Sequence, residues 1–195
     1  MRKKRGLIFI LSGPSGSGKT TLASRILEEP ALKGKIARSI SFTTRPKRTG
    51  ERDKKDYFFI SEEQFRASRK AKKILEWTKY IGYYYATPRE QVEKQLKKGK
   101  GVILCLDVKG AFAVRRLYPK DTVTIFVMPP FLKELRKRII GRSHNTRQDE
   151  IKQRLQLARK EMRKARKYDY CLVNKDLFKA AAGLKKIILA KLNQR

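Results

Sequence analysis

Acidic residues, cysteines and long apolar runs are all scarce in this chain of 195 residues. Aspartate and glutamate total 18 against 50 lysines and arginines, which gives a formal net charge of +32. Cys105 and Cys171, the two cysteines, lie in apolar runs, so we expect buried free thiols and a cytoplasmic protein. The longest apolar run, residues 7–11, is too short to span a bilayer, which takes about 20 residues, so we expect no membrane partner.

The basic residues are spread along the whole chain rather than gathered in a tail. A surface of this sign attracts polyanions, so nucleic-acid binding is expected only as a nonspecific effect of the charge. Hydrophobic residues make up 40% of the chain and aromatic residues 9%, enough to bury a core despite 35% charged residues. The composition therefore indicates a folded domain and argues against a disordered chain.

Apolar runs alternate with amphipathic segments along the chain. Continuous apolar runs are typical of strands in a parallel sheet, because helices cover both of its faces. Strands are predicted at 7–12, 57–60, 101–108, 122–128 and 170–173, with a further pair on either side of 81–82. Helices are predicted at 19–29, 88–98, 111–117, 151–165 and 177–188, with another that begins after Ser61. This order predicts an α/β fold.

Helix starts and one loop are also predicted from local pattern. Ser61 with Gln64, and Thr87 with Glu90, match the capping box, in which two side chains satisfy the first free amides of a helix. Residues 140–148 lack apolar periodicity, and we expect a mobile loop there.

The stretch GPSGSGKT, residues 13–20, matches the complete phosphate-binding loop pattern G-x-x-x-x-G-K-[ST] between a strand and a helix. Its backbone amides and the helix N-terminus would bind phosphate oxygens, Lys19 would reach the β- and γ-phosphates, and Thr20 would ligate Mg²⁺. The predicted cofactor is therefore Mg²⁺, with ATP as phosphate donor. The predicted ATP-binding residues are Gly13, Pro14, Ser15, Gly16, Ser17, Gly18, Lys19, Thr20 and Thr21.

Further short motifs follow in a fixed order. They are SFTTRPKRTGE at 41–51, DY at 56–57, LEW at 75–77, GYYYAT at 82–87, LDVKG at 106–110, VMPP at 127–130 and YDYCLVN at 168–174. With the phosphate-binding loop, this set resembles the guanylate kinase family from that loop almost to the C-terminus. The resemblance implies a P-loop parallel sheet flanked by helices, with ATP and GMP as substrates of a phosphotransferase that forms ADP and GDP in purine metabolism.

The resemblance also implies an acceptor site for GMP. Arg45 and Arg48 would grip the monophosphate, since planar guanidinium groups pair bidentately with phosphate. Glu76 would accept hydrogen bonds from guanine N1–H and N2–H, and adenine offers no donors there. The implied GMP-binding residues are Ser41, Arg45, Arg48, Glu51, Tyr57, Glu76, Tyr85, Thr87 and Asp107.

Charge and position should carry the catalysis, because phosphoryl transfer needs no covalent intermediate. The implied catalytic cations are Lys19, Arg45, Arg138, Arg142 and Arg154. The implied metal residues are Thr20 and Asp107.

The predicted organisation has three parts. Residues 1–38 and 88–195 form the P-loop core, residues 39–87 an inserted GMP-binding lobe, and residues 139–150 a short mobile lid. Closure of the lobe and lid over both nucleotides would exclude water. The oligomeric state is left open.

Departures from the family pattern keep two alternatives open. Cys105 stands where an acidic residue is usual, and Ala86 stands where a glycine is usual. A catalytically weak guanylate-kinase-like binding module is one alternative, although such modules degrade the phosphate-binding loop that is intact here. A basic nucleic-acid-binding protein is the other, although aromatic residues are not interleaved with the basic ones for stacking on bases.

Overall fold

The computed structural model describes residues 4–141 and 148–194 of the chain. The strands are β1 Ile8–Ser12, β2 Ile36–Arg38, β3 Phe42–Thr43, β4 Phe58–Phe59, β5 Ile74–Tyr80, β6 Tyr83–Pro88, β7 Gly101–Leu106, β8 Thr122–Met128 and β9 Tyr170–Val173. The helices are α1 Lys19–Leu27, α2 Glu62–Lys70, α3 Arg89–Lys97, α4 Val108–Leu117, α5 Leu132–Gly141, α6 Gln148–Met162 and α7 Leu177–Asn193. Single 3₁₀ turns lie at Pro30–Leu32 and Ala165–Lys167.

Five strands form the main sheet in the order β2-β7-β1-β8-β9, and every neighbouring pair is parallel. The central strand β1 is fully buried, as expected for a strand with helices on both sides. Ser12 at its end pairs with Leu106 of β7. The phosphate-binding loop that follows Ser12 therefore lies beside Asp107, at the carboxyl edge where α/β sheets bind ligands.

Alternate residues of β1 enter two separate cores. Phe9 and Leu11 pack with residues of α1 and α7 on one face of the sheet. Ile8 and Ile10 pack with residues of α3 and α4 on the other. The predicted α/β class, with a parallel sheet covered on both faces, is confirmed.

A second, four-stranded sheet has the order β4-β3-β6-β5 and comes from residues 42–88. The predicted pair of strands on either side of 81–82 is the β5–β6 hairpin. It turns at Ile81 and Gly82, which both have positive φ. Helix α2 covers this sheet through Phe65, whose ring stacks on Tyr84 at a centroid distance of 4.4 Å. The predicted capping box at Ser61 and Gln64 is confirmed.

The second predicted capping box is wrong. Thr87 lies in β6, and its buried hydroxyl donates to Glu76 Oε1 at 2.5 Å instead of capping α3. Pro88 precedes the first residue of α3 and makes no side-chain cap. The strand therefore runs directly into the helix, because the hydroxyl has a stronger, charged acceptor across the hairpin.

Other predictions need smaller corrections. Cys171 is exposed rather than buried, because β9 is an edge strand whose alternate residues Tyr170 and Leu172 face the core. Ile140 belongs to α5 and Gln148 begins α6, so the predicted loop is shorter at both ends, and the rest of it lies outside the described residues. The short strands β2 and β3 were not predicted, since two or three residues carry too little pattern.

None of the helices in residues 4–141 and 148–194 combines the length and the apolar character needed to cross a bilayer.

Candidate active site

One cavity joins the carboxyl edge of the main sheet, the second sheet and helix α6. Fourteen of the predicted site residues line it: Gly13, Ser15, Gly16, Gly18, Lys19, Thr20, Ser41, Arg45, Arg48, Tyr57, Glu76, Tyr85, Asp107 and Arg154. Six others do not line it: Pro14, Ser17, Thr21, Glu51, Thr87 and Arg138. Arg142 lies outside the described residues, as does part of the predicted lid.

The phosphate-binding loop connects β1 to α1. Gly18 precedes the helix with φ of +94°, a left-handed conformation that glycine adopts without steric cost. Lys19 Nζ donates to the carbonyl oxygens of Gly13 at 2.6 Å and Pro14 at 3.0 Å. The ammonium is thereby folded over the loop whose amides would bind phosphate.

Asn174, directly after β9, holds this loop in place. Its Nδ2 donates to the carbonyl oxygen of Ser17 at 2.8 Å, and its backbone amide donates to Met128 O at 2.8 Å. The side chain lies so close to Gly18 that a Cβ at that position would overlap it. The sequence signal was present, because Asn174 ends the motif YDYCLVN, but no role was predicted for it.

Arg45 is 7% exposed and is held by several groups of the lobe. Glu51 accepts from Arg45 Nη2 through both carboxylate oxygens, at 2.8 and 3.0 Å. Arg45 Nε also donates to Tyr85 Oη at 3.2 Å, and Glu51 accepts from the amide of Arg48 at 2.9 Å. Glu51, predicted to bind GMP, is therefore placed to orient Arg45 and the 45–51 loop.

Arg48 and Tyr57 line the same part of the cavity. Burial lowers the pKa of Arg48, as does repulsion from Arg45 and Arg154. Three guanidinium groups thus concentrate positive potential where an anion would bind. Burial also raises the pKa of Tyr57 to about 12, so its hydroxyl stays protonated and can donate.

Glu76, in β5, is a buried residue that lines the same cavity. Burial raises its pKa to about 7, the hydrogen bond from Thr87 lowers it, and the nearby charge of Asp107 raises it. A Cβ at Gly110 would lie 2.6 Å from Glu76 Oε2. Gly110, unpredicted as a site residue, therefore leaves the room that this carboxylate occupies.

The arginines from the helices beside the predicted lid have different partners. Arg154, 6% exposed in α6, pairs with Glu150 one turn earlier. No described group accepts from its buried Nε. Arg138 in α5 donates to the carbonyl oxygen of Asn174 at 3.3 Å, so it lies against the phosphate-binding loop rather than in the cavity wall.

Six cavity residues were not predicted as site residues: Thr78, Tyr80, Ala86, Cys105, Leu106 and Glu161. Cys105 had been noted only as a departure from the family pattern, and burial raises the pKa of its thiol. Glu161 carries no sequence signal, because it is one acid within a long basic helix. Its position facing Lys19 and Asp107 depends on how α6 packs against the sheet.

Oxygen donors suited to a hard divalent cation are present in the cavity. Thr20 offers a hydroxyl and Asp107 a carboxylate, one oxygen of which accepts from the amide of Gly110 at 2.7 Å. Residues 4–141 and 148–194 contain no group of three or more metal-ligating side chains. This donor set fits Mg²⁺, which keeps most of its water and phosphate ligands and takes one or two ligands from the protein.

Comparisons with known proteins agree on one family. The family model described as "Guanylate kinase" matches residues 5–191. Guanylate kinase of Halalkalibacterium halodurans is 41% identical over 191 residues, which cover 98% of this chain and 91% of the relative. That of Wolbachia pipientis wMel is 39% identical, covering 99% and 96%. A crystal structure of guanylate kinase from Anaplasma phagocytophilum aligns with a TM-score of 0.81 at 33% identity, covering 98% of this chain and 89% of that one.

Proposed function

The chain belongs to the guanylate kinase family, and on that premise we propose that it transfers the γ-phosphate of ATP to GMP, giving ADP and GDP. One observation supports this most directly. A single cavity is lined by residues of the phosphate-binding loop, including Lys19, by a buried carboxylate, Glu76, and by two arginines, Arg45 and Arg48.

Glu76 would select guanine. Its carboxylate can accept hydrogen bonds from N1–H and N2–H, whereas adenine would leave the buried carboxylate without donors. Thr87 holds Glu76 in place through the hydrogen bond at 2.5 Å, which leaves the second oxygen for the base. Thr87 would thus act through Glu76, and Ser41 lines the same cavity.

Arg45, Arg48, Tyr57 and Tyr85 would bind the phosphate of GMP. Arg45 is already oriented by Glu51, so little side-chain entropy would be lost on binding. The two tyrosine hydroxyls are neutral donors, and the arginines supply charge. This cluster would fix the attacking phosphate oxygen in line with the donor.

The phosphate-binding loop would hold ATP. Its amides and the N-terminus of α1 would contact the phosphates, and Lys19 would exchange the two loop carbonyls for the β- and γ-phosphates. Arg138, Arg142 and Arg154 would stabilise the transferring group. Thr20 and Asp107 would hold Mg²⁺, which neutralises charge on the phosphates when bound.

The inserted lobe and the lid would close over the nucleotides. We propose boundaries at 39–87 and 139–150. The second sheet comes from residues 42–88, nearly all within the first range, and α5 ends and α6 begins inside the second. Closure would exclude water, which otherwise competes with GMP for the γ-phosphate. A cytoplasmic location stays a prediction from composition.

The test is ADP formation from ATP and Mg²⁺ with GMP, AMP, CMP or UMP as acceptor. We expect turnover with GMP and, at most, a hundredth of that rate with AMP. Lys19→Ala should abolish turnover with GMP. Glu76→Gln should reduce kcat/KM for GMP, whereas Glu90→Gln, an exposed acid on α3, should not.

Equal rates with all four acceptors would contradict the role of Glu76. No turnover by a folded protein that still binds GMP would favour the binding-module alternative.

A further inference from the structure

Glu161, in the last turn of α6, is a buried carboxylate that faces the cavity without a hydrogen-bond partner. It is 8% exposed and lines the cavity together with Lys19, Thr20 and Asp107. Within the described ranges, no group donates a hydrogen bond to its oxygens and no cation forms an ion pair with it. Glutamates are almost never buried in this way unless they are paired.

The electrostatic surroundings show that the charged form is poorly satisfied. Burial raises the pKa of Glu161 to about 7, the charge of Lys19 lowers it, and that of Asp107 raises it. Lys19 is near enough to act on Glu161, yet its ammonium is engaged by loop carbonyls. No described cation forms an ion pair with this carboxylate, and the attraction of Lys19 and Lys164 does not offset its burial.

The other carboxylates of the cavity already have partners. Asp107 Oδ1 accepts from the amide of Gly110, and Glu76 Oε1 accepts from the hydroxyl of Thr87. Position 105, two residues before Asp107, supplies a thiol and no charge. Glu161 is thus the cavity carboxylate, among the residues that the structure describes, with both oxygens uncommitted.

ATP would bring several negative charges into this cavity. An ionised carboxylate beside a polyphosphate is repelled unless a cation lies between them. Lys19 is expected to turn towards the phosphates, which removes its attraction from Glu161. A divalent cation bound with the phosphates would supply the missing charge.

We propose that Glu161 is a positioning residue for the divalent cation that accompanies ATP, acting with Thr20 and Asp107. This rests on the donor half of the proposed function and adds a residue to it. Glu161 would accept hydrogen bonds from water ligands of the cation, as carboxylates around hydrated Mg²⁺ do. Glu161, in α6, supplies a negative charge, whereas Cys105 supplies none.

The test measures cation binding without turnover. Mn²⁺ is titrated into the protein bound to a non-hydrolysable ATP analogue, and free Mn²⁺ is followed by electron paramagnetic resonance. We expect Glu161→Gln to weaken Mn²⁺ binding about tenfold or more, the effect typical of losing an outer partner of a metal. Affinity for the analogue in the presence of EDTA should stay the same or rise, because the variant keeps every phosphate contact and removes a charge that repels the phosphates.

Three controls make the result specific. Glu161→Asp keeps the charge and should restore part of the Mn²⁺ affinity. Glu90→Gln removes an exposed charge and should behave as the wild type. Thermal unfolding of each variant checks that it is folded, and Glu161→Asp keeps the test open if the glutamine variant unfolds.

Two results would overturn the proposal. Unchanged Mn²⁺ affinity in Glu161→Gln would mean that Glu161 acts as a neutral hydrogen-bonding group, a role that glutamine can fill. Equal weakening in Glu161→Gln and Glu90→Gln would mean a diffuse effect of charge. If the wild type binds neither the analogue nor Mn²⁺, the donor site itself, and with it the proposed function, fails.

Discussion

Several charged side chains of this site are buried. Arg45, Glu76, Arg154 and Glu161 are each less than 9% exposed, although ions are costly to remove from water. Arg45 and Arg154 are each compensated by a neighbouring glutamate, and Glu76 by a hydroxyl. Such groups are fixed in position before a ligand arrives, which favours catalysis that depends on preorganised charge.

Gly110→Ala should impair use of GMP more than use of ATP, because the added Cβ would lie closer to Glu76 than to Asp107 Oδ1, which it would approach to 3.3 Å. The added Cβ would lie 2.6 Å from Glu76 Oε2 and 3.1 Å from its Cδ, so the carboxylate must move. A displacement near 1 Å can cost up to about a hundredfold, so we expect kcat/KM for GMP to fall roughly tenfold to a hundredfold. Steady-state kinetics with each nucleotide varied in turn would measure this.

Gly183→Ala is the matched control for this change. It adds the same methyl group to a helix, where it would lie 2.9 Å from Leu172 Cδ1 in the core. It should alter stability while both KM values stay as in the wild type. An unchanged KM for GMP in Gly110→Ala would mean that the Glu76 carboxylate can move and still accept hydrogen bonds from guanine.

The last strand of the sheet has a role in holding the phosphate-binding loop. Among the strands that the structure describes, β9 pairs only with β8 at the edge of the sheet, and Asn174 continues from it towards Ser17. This contact joins residues 157 positions apart. The loop therefore depends for its shape on an element from the other end of the chain.

Asn174→Ala should weaken ATP binding and lower stability together. The change leaves the buried carbonyl of Ser17 without its donor, which costs roughly 1–3 kcal/mol. For a chain of this length we expect a melting temperature lower by about 2–10 °C and a KM for ATP raised several-fold. Lys175→Ala, at the exposed neighbour, is the control. Loss of stability with an unchanged KM for ATP would mean that the hydrogen bond from Asn174 to Ser17 stabilises the fold without affecting ATP binding.

The molecule as a whole has few acids, and two of them are buried with raised pKa values. At a net charge of +32, repulsion between basic residues destabilises the folded state. Each carboxylate therefore affects stability more than it would in a neutral protein. The pKa of both Glu76 and Glu161 rises from 4.5 to about 7 on folding, with burial as the first cause. Between these pH values the folded state binds more protons than the unfolded state.

Unliganded wild type should therefore lose stability relative to a Glu76→Gln, Glu161→Gln double variant as pH rises from 4.5 through 7. Stability falls with pH wherever the folded state holds the extra protons, and above about 7 the full cost of burying both charges is present. The difference should reach at most roughly 3 kcal/mol for each group. Urea unfolding of both proteins from pH 5 to 8 would measure it. A difference independent of pH would contradict the raised pKa values.

Much of the fold could be predicted because its signals are local. The strand 122–128 was predicted to the residue, and the hairpin at Ile81 and Gly82 was also found, since apolar runs and turns are set by neighbours in sequence. Thr87 was misassigned for the opposite reason. Its neighbours have the pattern of a helix start, while its partner, Glu76, lies across the hairpin.

The amino-acid sequence alone was enough to predict the α/β class, the phosphate-binding loop and most of the residues that line the cavity. A nucleotide-binding loop is a continuous segment, and the family motifs keep their order along the chain. Folding decided which groups face one another: Glu51 with Arg45, Asn174 with Ser17, and Glu161 with the cavity. Such pairings depend on burial and on distances between remote segments, and those exist only once the helices have packed on the sheet.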